Sequence, residues 1–415
     1  MSPISERAST TAEPGAAGFE AGPGPVRFPC FDAFRFFGMV MVLVIHTEFA
    51  TRVTGPLRPY LARMDVGVPI FFVISGFLLY RPFITRQLAG KPPMKTGTFL
   101  RRRVLRVIPG YWFALTVCVL FLGVQMNGLA DVFWYYSLLF PFDPSRALGG
   151  AGVLAGQVGI PQAWSLTAEF CFYLMLPVLT IGLRRFTSTR SAANQARAAL
   201  LVALALVVFG QLFRLYFVLA DPSWQREAVI WAPNWVDFFA LGMTAAVISA
   251  WVAAGGRLPR ILATLGRHPW WSWGIAAIAG FAVTRFQPPA IPGVFTLEYC
   301  ARFALYGVVA VFLLIPAMFG DQTRTRARRV LASRPLVFLG TVSLGFYLFH
   351  LAFLHLAEDW TDAPPFGGSF VKIFAIAFVC SIAAAIVSYF VVEKPFLLLK
   401  DRSIRSLWHR QTVDA

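Results

Sequence analysis

Apolar runs at about residues 35 to 51, 66 to 80, 108 to 124, 164 to 183, 198 to 219, 231 to 253, 270 to 284, 295 to 318, 336 to 356 and 370 to 392 dominate this 415-residue chain. A bilayer's hydrocarbon core is ~30 Å thick and takes roughly twenty helical residues to cross. Within it each backbone N–H and C=O must be satisfied by the chain itself, which favours helices. The pattern therefore predicts an all-α fold, a polytopic integral membrane bundle of about ten transmembrane helices. Composition agrees: 57% of residues are hydrophobic and only 14% are charged, against roughly a quarter charged in a soluble domain.

The net charge of +17 would suit nucleic acid if it were concentrated in a folded patch. Instead Lys and Arg fall in short runs between apolar segments, as loop topology signals do, so no nucleic-acid partner is expected and the lipid bilayer is. Arg81, Arg86, Lys91, Lys95, Arg101, Arg102, Arg103 and Arg106 crowd one connection, and the positive-inside rule places it in the cytoplasm. Carried forward, that assignment puts Arg184 to Arg197, Arg257 to Arg267 and Arg324 to Arg334 inside as well, with both termini cytoplasmic in a multi-pass protein of the cell (plasma) membrane. Residues 1–27, rich in Ser, Thr, Ala, Gly and Pro, read as a disordered cytoplasmic tail without a cleavable signal. Residues 28–400 form the membrane domain and 401–415 a short basic tail. The aromatic segment Asp131 to Phe142 is interfacial or re-entrant, or else an additional span. Five scattered cysteines offer neither a disulfide framework nor a metal-site spacing.

Two ionisable residues stand out in the first run. Arg35 and His46 are eleven residues apart, about 16 Å of helical rise and about 20° of net rotation, so they share one face. Ionisable groups in spans are costly and usually line a protein interior or a wet cavity. Counting along the other runs brings Glu169, Arg214, Asp237, Arg302 and His350 to a similar level in the outer half.

Several of these residues sit in motifs, and with them the chain resembles the acyltransferase 3 family of integral membrane acyltransferases. Arg35 and His46 match the family's Arg-x10-His signature, with Asp32 preceding them. The stretch from Gly67 to Phe77 is similar to a second family motif, with Pro69 replacing an Asp whose role is absent here or taken by Asp65. Arg102, Arg103 and Arg106 match the basic motif before the third span, and Trp164, Ser165, Leu166 and Glu169 match a fourth, with Phe170 where many members carry a second Glu. Asp237 to Gly242, Ser343 to His350 and Glu393-Lys394-Pro395 follow in family order.

The resemblance implies transfer of an acyl group, commonly acetyl, from cytoplasmic acyl-CoA to a hydroxyl of a carbohydrate, glycolipid or natural-product acceptor. Some members carry an extra hydrolase-like domain after the last span, and this chain ends soon after Lys400. Such a reaction needs a base to take the hydroxyl proton, a task that suits an imidazole. His46 is the expected base, or alternatively a nucleophile forming an acyl-histidine. Glu169 is the expected partner holding its tautomer, and Arg35 completes the catalytic set along the donor's route. Arg102, Arg103 and Arg106 are expected to hold the phosphates of acetyl-CoA as co-substrate, and Asp237, His350 and Trp164 to bind acceptor. Ser75 and Gly76 are expected to serve close helix packing. No metal-ligand cluster, Gly-x-Ser-x-Gly elbow or phosphate-cradling glycine loop is present. A transporter or flippase of a lipid-linked sugar or small metabolite is the alternative, because intramembrane charges also line transport paths.

Overall fold

The computed structural model describes residues 28–146, 158–286, 294–320 and 325–399. The two expected tails, 1–27 and 401–415, lie outside these residues. The described residues are overwhelmingly helical, with a single isolated bridge between Gln125 and Val158. The main helices are α1 (Cys30–Thr51), α2 (Gly67–Leu88), α3 (Thr96–Phe121), α4 (Leu129–Tyr136), α5 (Trp164–Thr187), α6 (Ala192–Ala220), α7 (Ala232–Ala253), α8 (Pro269–Val283), α9 (Leu297–Phe319), α10 (Arg334–Thr341), α11 (Ser343–Trp360) and α12 (Phe370–Ser388).

Eight of the described helical stretches are long and apolar enough to cross a membrane, and α10 with α11 makes a ninth if that bent pair is one span. This refines the count of about ten. The tenth apolar run is α8, whose 15 residues rise only about 22 Å, short of the ~30 Å hydrocarbon core. Asp131 to Phe142 is not among the candidate spans either. It forms α4 and a 3-10 turn, Phe140–Phe142, and folds back against the middle of α3. There the Tyr111 hydroxyl donates to the Tyr135 carbonyl (2.6 Å) and Trp112 Nε1 to the Tyr136 carbonyl (2.9 Å). Tyr135 and Phe140 are buried, as a re-entrant piece requires.

The centre of the bundle is the α2–α7 pair. Side chains as large as Phe72, Phe77 and Phe238 are fully buried around it, yet the backbones touch because small residues stand at the crossing. A Cβ on Gly76 would collide with the Phe239 carbonyl, and one on Gly242 with the Val73 carbonyl. Lipid tails are as apolar as the side chains, so close van der Waals contact of this kind is a main source of helix association in membranes. Phe239 then stacks between Phe72 (4.5 Å) and Phe172 (4.3 Å), which joins α5 to the pair. Two irregularities shape the region near the start of α1. The α10–α11 pair bends by 63°, and α12 continues through a π turn, Tyr389–Glu393.

Candidate active site

A cavity of about 200 Å³ opens at the end of the bundle that carries the start of α1 and the basic segment of α3. Its polar lining includes Asp32, Arg35, Ser75, Arg103, Arg106, Ser165, Glu169, Tyr173, Tyr347 and Glu393. Helical periodicity explains most of this set. Asp32 and Arg35 are three apart on α1, Arg103 and Arg106 three apart on α3, and Glu169 and Tyr173 four apart on α5, so each pair faces one way. Arg35 forms a 3.2 Å ion pair with Asp32. Ser75 donates to Glu169 Oε1 at 2.9 Å, so the serine expected only to ease packing also holds a carboxylate. Glu393 enters through the π turn: one extra residue in the turn changes which side chains face inward, and the carboxylate is buried against Gly110 with a 3.3 Å bond from Ser388. Nε of Arg35 and Nε of Arg103 are buried without a hydrogen-bond partner. Both arginine side chains line the cavity.

Above the cavity, Tyr347 closes the layer: its hydroxyl bonds Ser165 Oγ (2.7 Å) and the Gln162 carbonyl (2.5 Å). Beyond this layer lies His46, seven residues past the lining residue Met39 on α1. His46 Nδ1 is 2.9 Å from His350 Nε2, and His350 Nδ1 is 2.6 Å from the Tyr347 carbonyl. A carbonyl can only accept, so His350 carries its proton on Nδ1 and its Nε2 is a lone pair. His46 Nδ1 must then be the donor, and the lone pair of His46 falls on Nε2. His350 is fully buried while His46 is partly exposed. The arrangement sets a fully buried ring behind a partly exposed imidazole, and the two bonds together fix the tautomer of the outer ring.

The expected convergence of all deep polar groups on one level is therefore corrected into separate sites. Glu169 faces the Arg35 cavity, and the ring partner of His46 is His350, which takes the place expected for Glu169. Asp237, expected to bind acceptor, is bound on both oxygens. Arg214 Nη2 reaches its Oδ1 at 2.6 Å, Arg214 Nη1 its Oδ2 at 2.9 Å, and Gln211 also donates to Oδ2 at 3.0 Å. Arg214 completes its fork on Asn234 and lies over Phe303, which ties α6, α7 and α9 together. Trp164 packs on Trp235 (4.8 Å) and Phe72 rather than lining the cavity. Arg102 is exposed on α3 and is not among the lining residues, whereas its neighbours Arg103 and Arg106 are. Asp65, a possible stand-in for the missing motif carboxylate, accepts from the Tyr306 hydroxyl at the opposite end of the bundle. Among the described residues no group of three or more His, Cys, Asp or Glu could hold a metal ion.

Comparison with known proteins bears on what such a site does. A sequence model described as "Acyltransferase domain", that of the acyltransferase 3 family, matches residues 28–391. Acyltransferase MdmB of Streptomyces mycarofaciens is 24% identical over 420 residues, covering 92% of this chain and 94% of that protein. Nodulation protein 10 of Rhizobium leguminosarum bv. viciae is 27% identical over 271 residues, 60% of this chain and 68% of that one. O-acetyltransferase OatA of Staphylococcus aureus is 22% identical over 386 residues, 89% of this chain but only 57% of its own length. No solved structure matches. With a family match over nearly its whole length and an all-helical membrane bundle to carry it, the chain belongs to the acyltransferase 3 family.

Proposed function

We propose that this membrane acyltransferase moves an acyl group, commonly acetyl, from acyl-CoA to a hydroxyl of a carbohydrate, glycolipid or natural-product acceptor, with His46 as general base. The observation that carries the reading is the chain from the Tyr347 carbonyl through His350 to His46, which leaves Nε2 of His46 as an oriented lone pair. The acceptor oxygen attacks the thioester carbonyl as His46 Nε2 takes its proton. The C–S bond then breaks, and the imidazolium returns the proton to the departing thiolate.

Donor binding falls to the cavity. At about 200 Å³ it is smaller than the ~300–1,000 Å³ of typical small-molecule sites. It suits the pantetheine arm, with the phosphates at the mouth beside Arg103 and Arg106, whose planar forks match phosphate. Arg35 and Glu169 face the arm inside. The thioester reaches His46 when the Tyr347–Ser165 layer parts. The alternative of a transporter finds no support in the family to which the chain belongs. The test is release of free CoA thiol by membranes holding the full chain, supplied with acetyl-CoA and an envelope extract as acceptor. Loss of a general base costs about 10²–10⁴ in rate, so His46→Ala should abolish detectable turnover while leaving acetyl-CoA binding intact. Turnover near the unsubstituted rate would end the proposal.

A further inference from the structure

One carboxylate of the cavity has no part in the chemistry described so far. Glu393 is 4% exposed and lines the cavity, and it enters by way of the π turn, an irregularity frequent at functional sites. The 3.3 Å contact from Ser388 Oγ to Oε1 is its one hydrogen bond among the described residues, and no cation pairs with it there. Lys394, next in sequence, instead sets its Nζ over the Phe390 ring at 5.2 Å. The other two carboxylates of the lining are held more closely, Asp32 by Arg35 at 3.2 Å and Glu169 by Ser75 at 2.9 Å. Glutamate is almost never buried unless it is paired. A single uncharged hydroxyl at the far edge of bonding distance does not meet that need.

The depth of this carboxylate follows from its neighbour on α3. A Cβ on Gly110 would lie 3.1 Å from Glu393 Cγ and 3.6 Å from Oε1, so the carboxylate rests against that glycine. Gly110 stands four residues past Arg106 and seven past Arg103, the spacing of one helix face. It is about 6 Å further into the bundle than Arg106. From the mouth inward, this wall of the cavity therefore presents two guanidinium forks and then a carboxylate.

We propose that Glu393 binds the acyl donor, accepting a hydrogen bond from the hydroxyl of its pantetheine arm. The inference rests on the donor reading given above, with the phosphates beside Arg103 and Arg106. Going inward from the phosphates, that hydroxyl is the first hydrogen-bond donor the arm carries, and an ionised carboxylate is an acceptor only. Ser388 occupies Oε1, which leaves Oε2 for the arm. A bond from a hydroxyl to a carboxylate is roughly twice as strong as a neutral one, whereas a phosphate at the same place would be repelled. Glu393 thus fixes how far the arm can slide, with phosphates on one side of it and the thioester on the other.

Binding is read apart from turnover, by thermal unfolding of the purified full chain in an uncharged detergent. The probes are acetyl-CoA, S-acetyl-pantetheine, which lacks the phosphates, and an S-acetyl-pantetheine analogue without the hydroxyl. The first two should each raise the midpoint of the unsubstituted chain. Glu393→Met should weaken the apparent affinity for both about ten- to a hundred-fold, the size of a lost charge-assisted bond. The unsubstituted chain should bind the analogue about ten-fold or more worse than S-acetyl-pantetheine, and Glu393→Met should bind the two alike. The double variant Arg103→Ala, Arg106→Ala should by contrast lose affinity for acetyl-CoA alone. If Glu393→Met does not fold, Glu393→Gln, which keeps the shape and an acceptor oxygen but not the charge, should show a smaller loss in the same pattern. Hydroxyl-dependent protection without any release of thiol would defeat the transfer reaction and its base while supporting the Glu393 contact. Equal affinity of the unsubstituted chain for S-acetyl-pantetheine and its analogue, a Glu393 variant that loses acetyl-CoA but not S-acetyl-pantetheine, or no protection of the unsubstituted chain by either donor overturns the inference.

Discussion

Replacing His350 with Phe separates an orienting role from a packing role. Phe keeps a ring of similar size in a fully buried position, so no large cavity opens and the fold should hold. What disappears is the lone pair 2.9 Å from His46 Nδ1. A donor left buried and unsatisfied costs about 1–3 kcal/mol, and the imidazole escapes that cost by moving its proton to Nε2, the nitrogen that must be bare to act as base. At 1.36 kcal/mol per decade, a tautomer shift of that size lowers kcat about ten- to a hundred-fold. That is less than the ~10²–10⁴ expected on removing the base itself. Because His350 does not line the donor cavity, KM for acetyl-CoA should not move. His350→Gln, whose amide oxygen can stand near the lost Nε2, should recover part of kcat. The assay is the acetyl-CoA dependence of CoA thiol release, alongside thermal unfolding of each variant. Unchanged kcat in His350→Phe, or equal losses in Phe and Gln variants with a raised KM, would refute the tautomer argument.

Three further outcomes are expected. The double variant Arg103→Ala, Arg106→Ala should raise KM for acetyl-CoA about ten- to a hundred-fold, the size of lost charge-assisted phosphate bonds, with kcat little changed; an unaltered KM in the thiol-release assay removes the donor assignment. Asp237→Asn leaves Arg214, which is 0% exposed, without its counter-ion and should destabilise the bundle by about 3–5 kcal/mol, whereas the apolar double variant Arg214→Met, Asp237→Leu should lose less; thermal unfolding in detergent ranks them, and the reverse order would contradict a structural clamp. Gly76→Ala must push α2 from the Phe239 backbone and should cost about 1–3 kcal/mol as an overpacked contact, read as a lowered unfolding midpoint; an unshifted midpoint would show that the α2–α7 crossing is not tight.

Much of this site was legible in the sequence because helical periodicity is a local property. Arg35 and His46 share a face of α1 by spacing alone, and the depth count that put His350 level with His46 proved sound enough to bring their rings into contact. Arg103 and Arg106 reach the cavity, and Arg102, one residue off that face, does not. The pairing of His46 with Glu169 failed for a different reason. Matching depths across helices assumes straight spans of equal tilt that begin at the membrane surface, and α5 begins behind a re-entrant segment, packed on Leu138 through Thr167. The bend between α10 and α11 and the π turn that delivers Glu393 are likewise matters of tertiary fit, without a periodic signature to reveal them.

The arginines show most clearly where sequence reading stops. Arg35, Arg103 and Arg214 are alike as letters: each interrupts or borders an apolar run, and each would be flagged as functional on that ground. Their partners divide them. Arg214 directs bonds from all three nitrogens to Asn234 and Asp237, so adding a ligand there would mean breaking a satisfied buried pair. Arg35 and Arg103 each keep a buried Nε unmatched beside a cavity. A buried donor without an acceptor is costly in a low dielectric, so a ligand anion that supplied the acceptor would bind with that cost already carried by the fold. By this reasoning Asp237 moves from the binding residues to the framework.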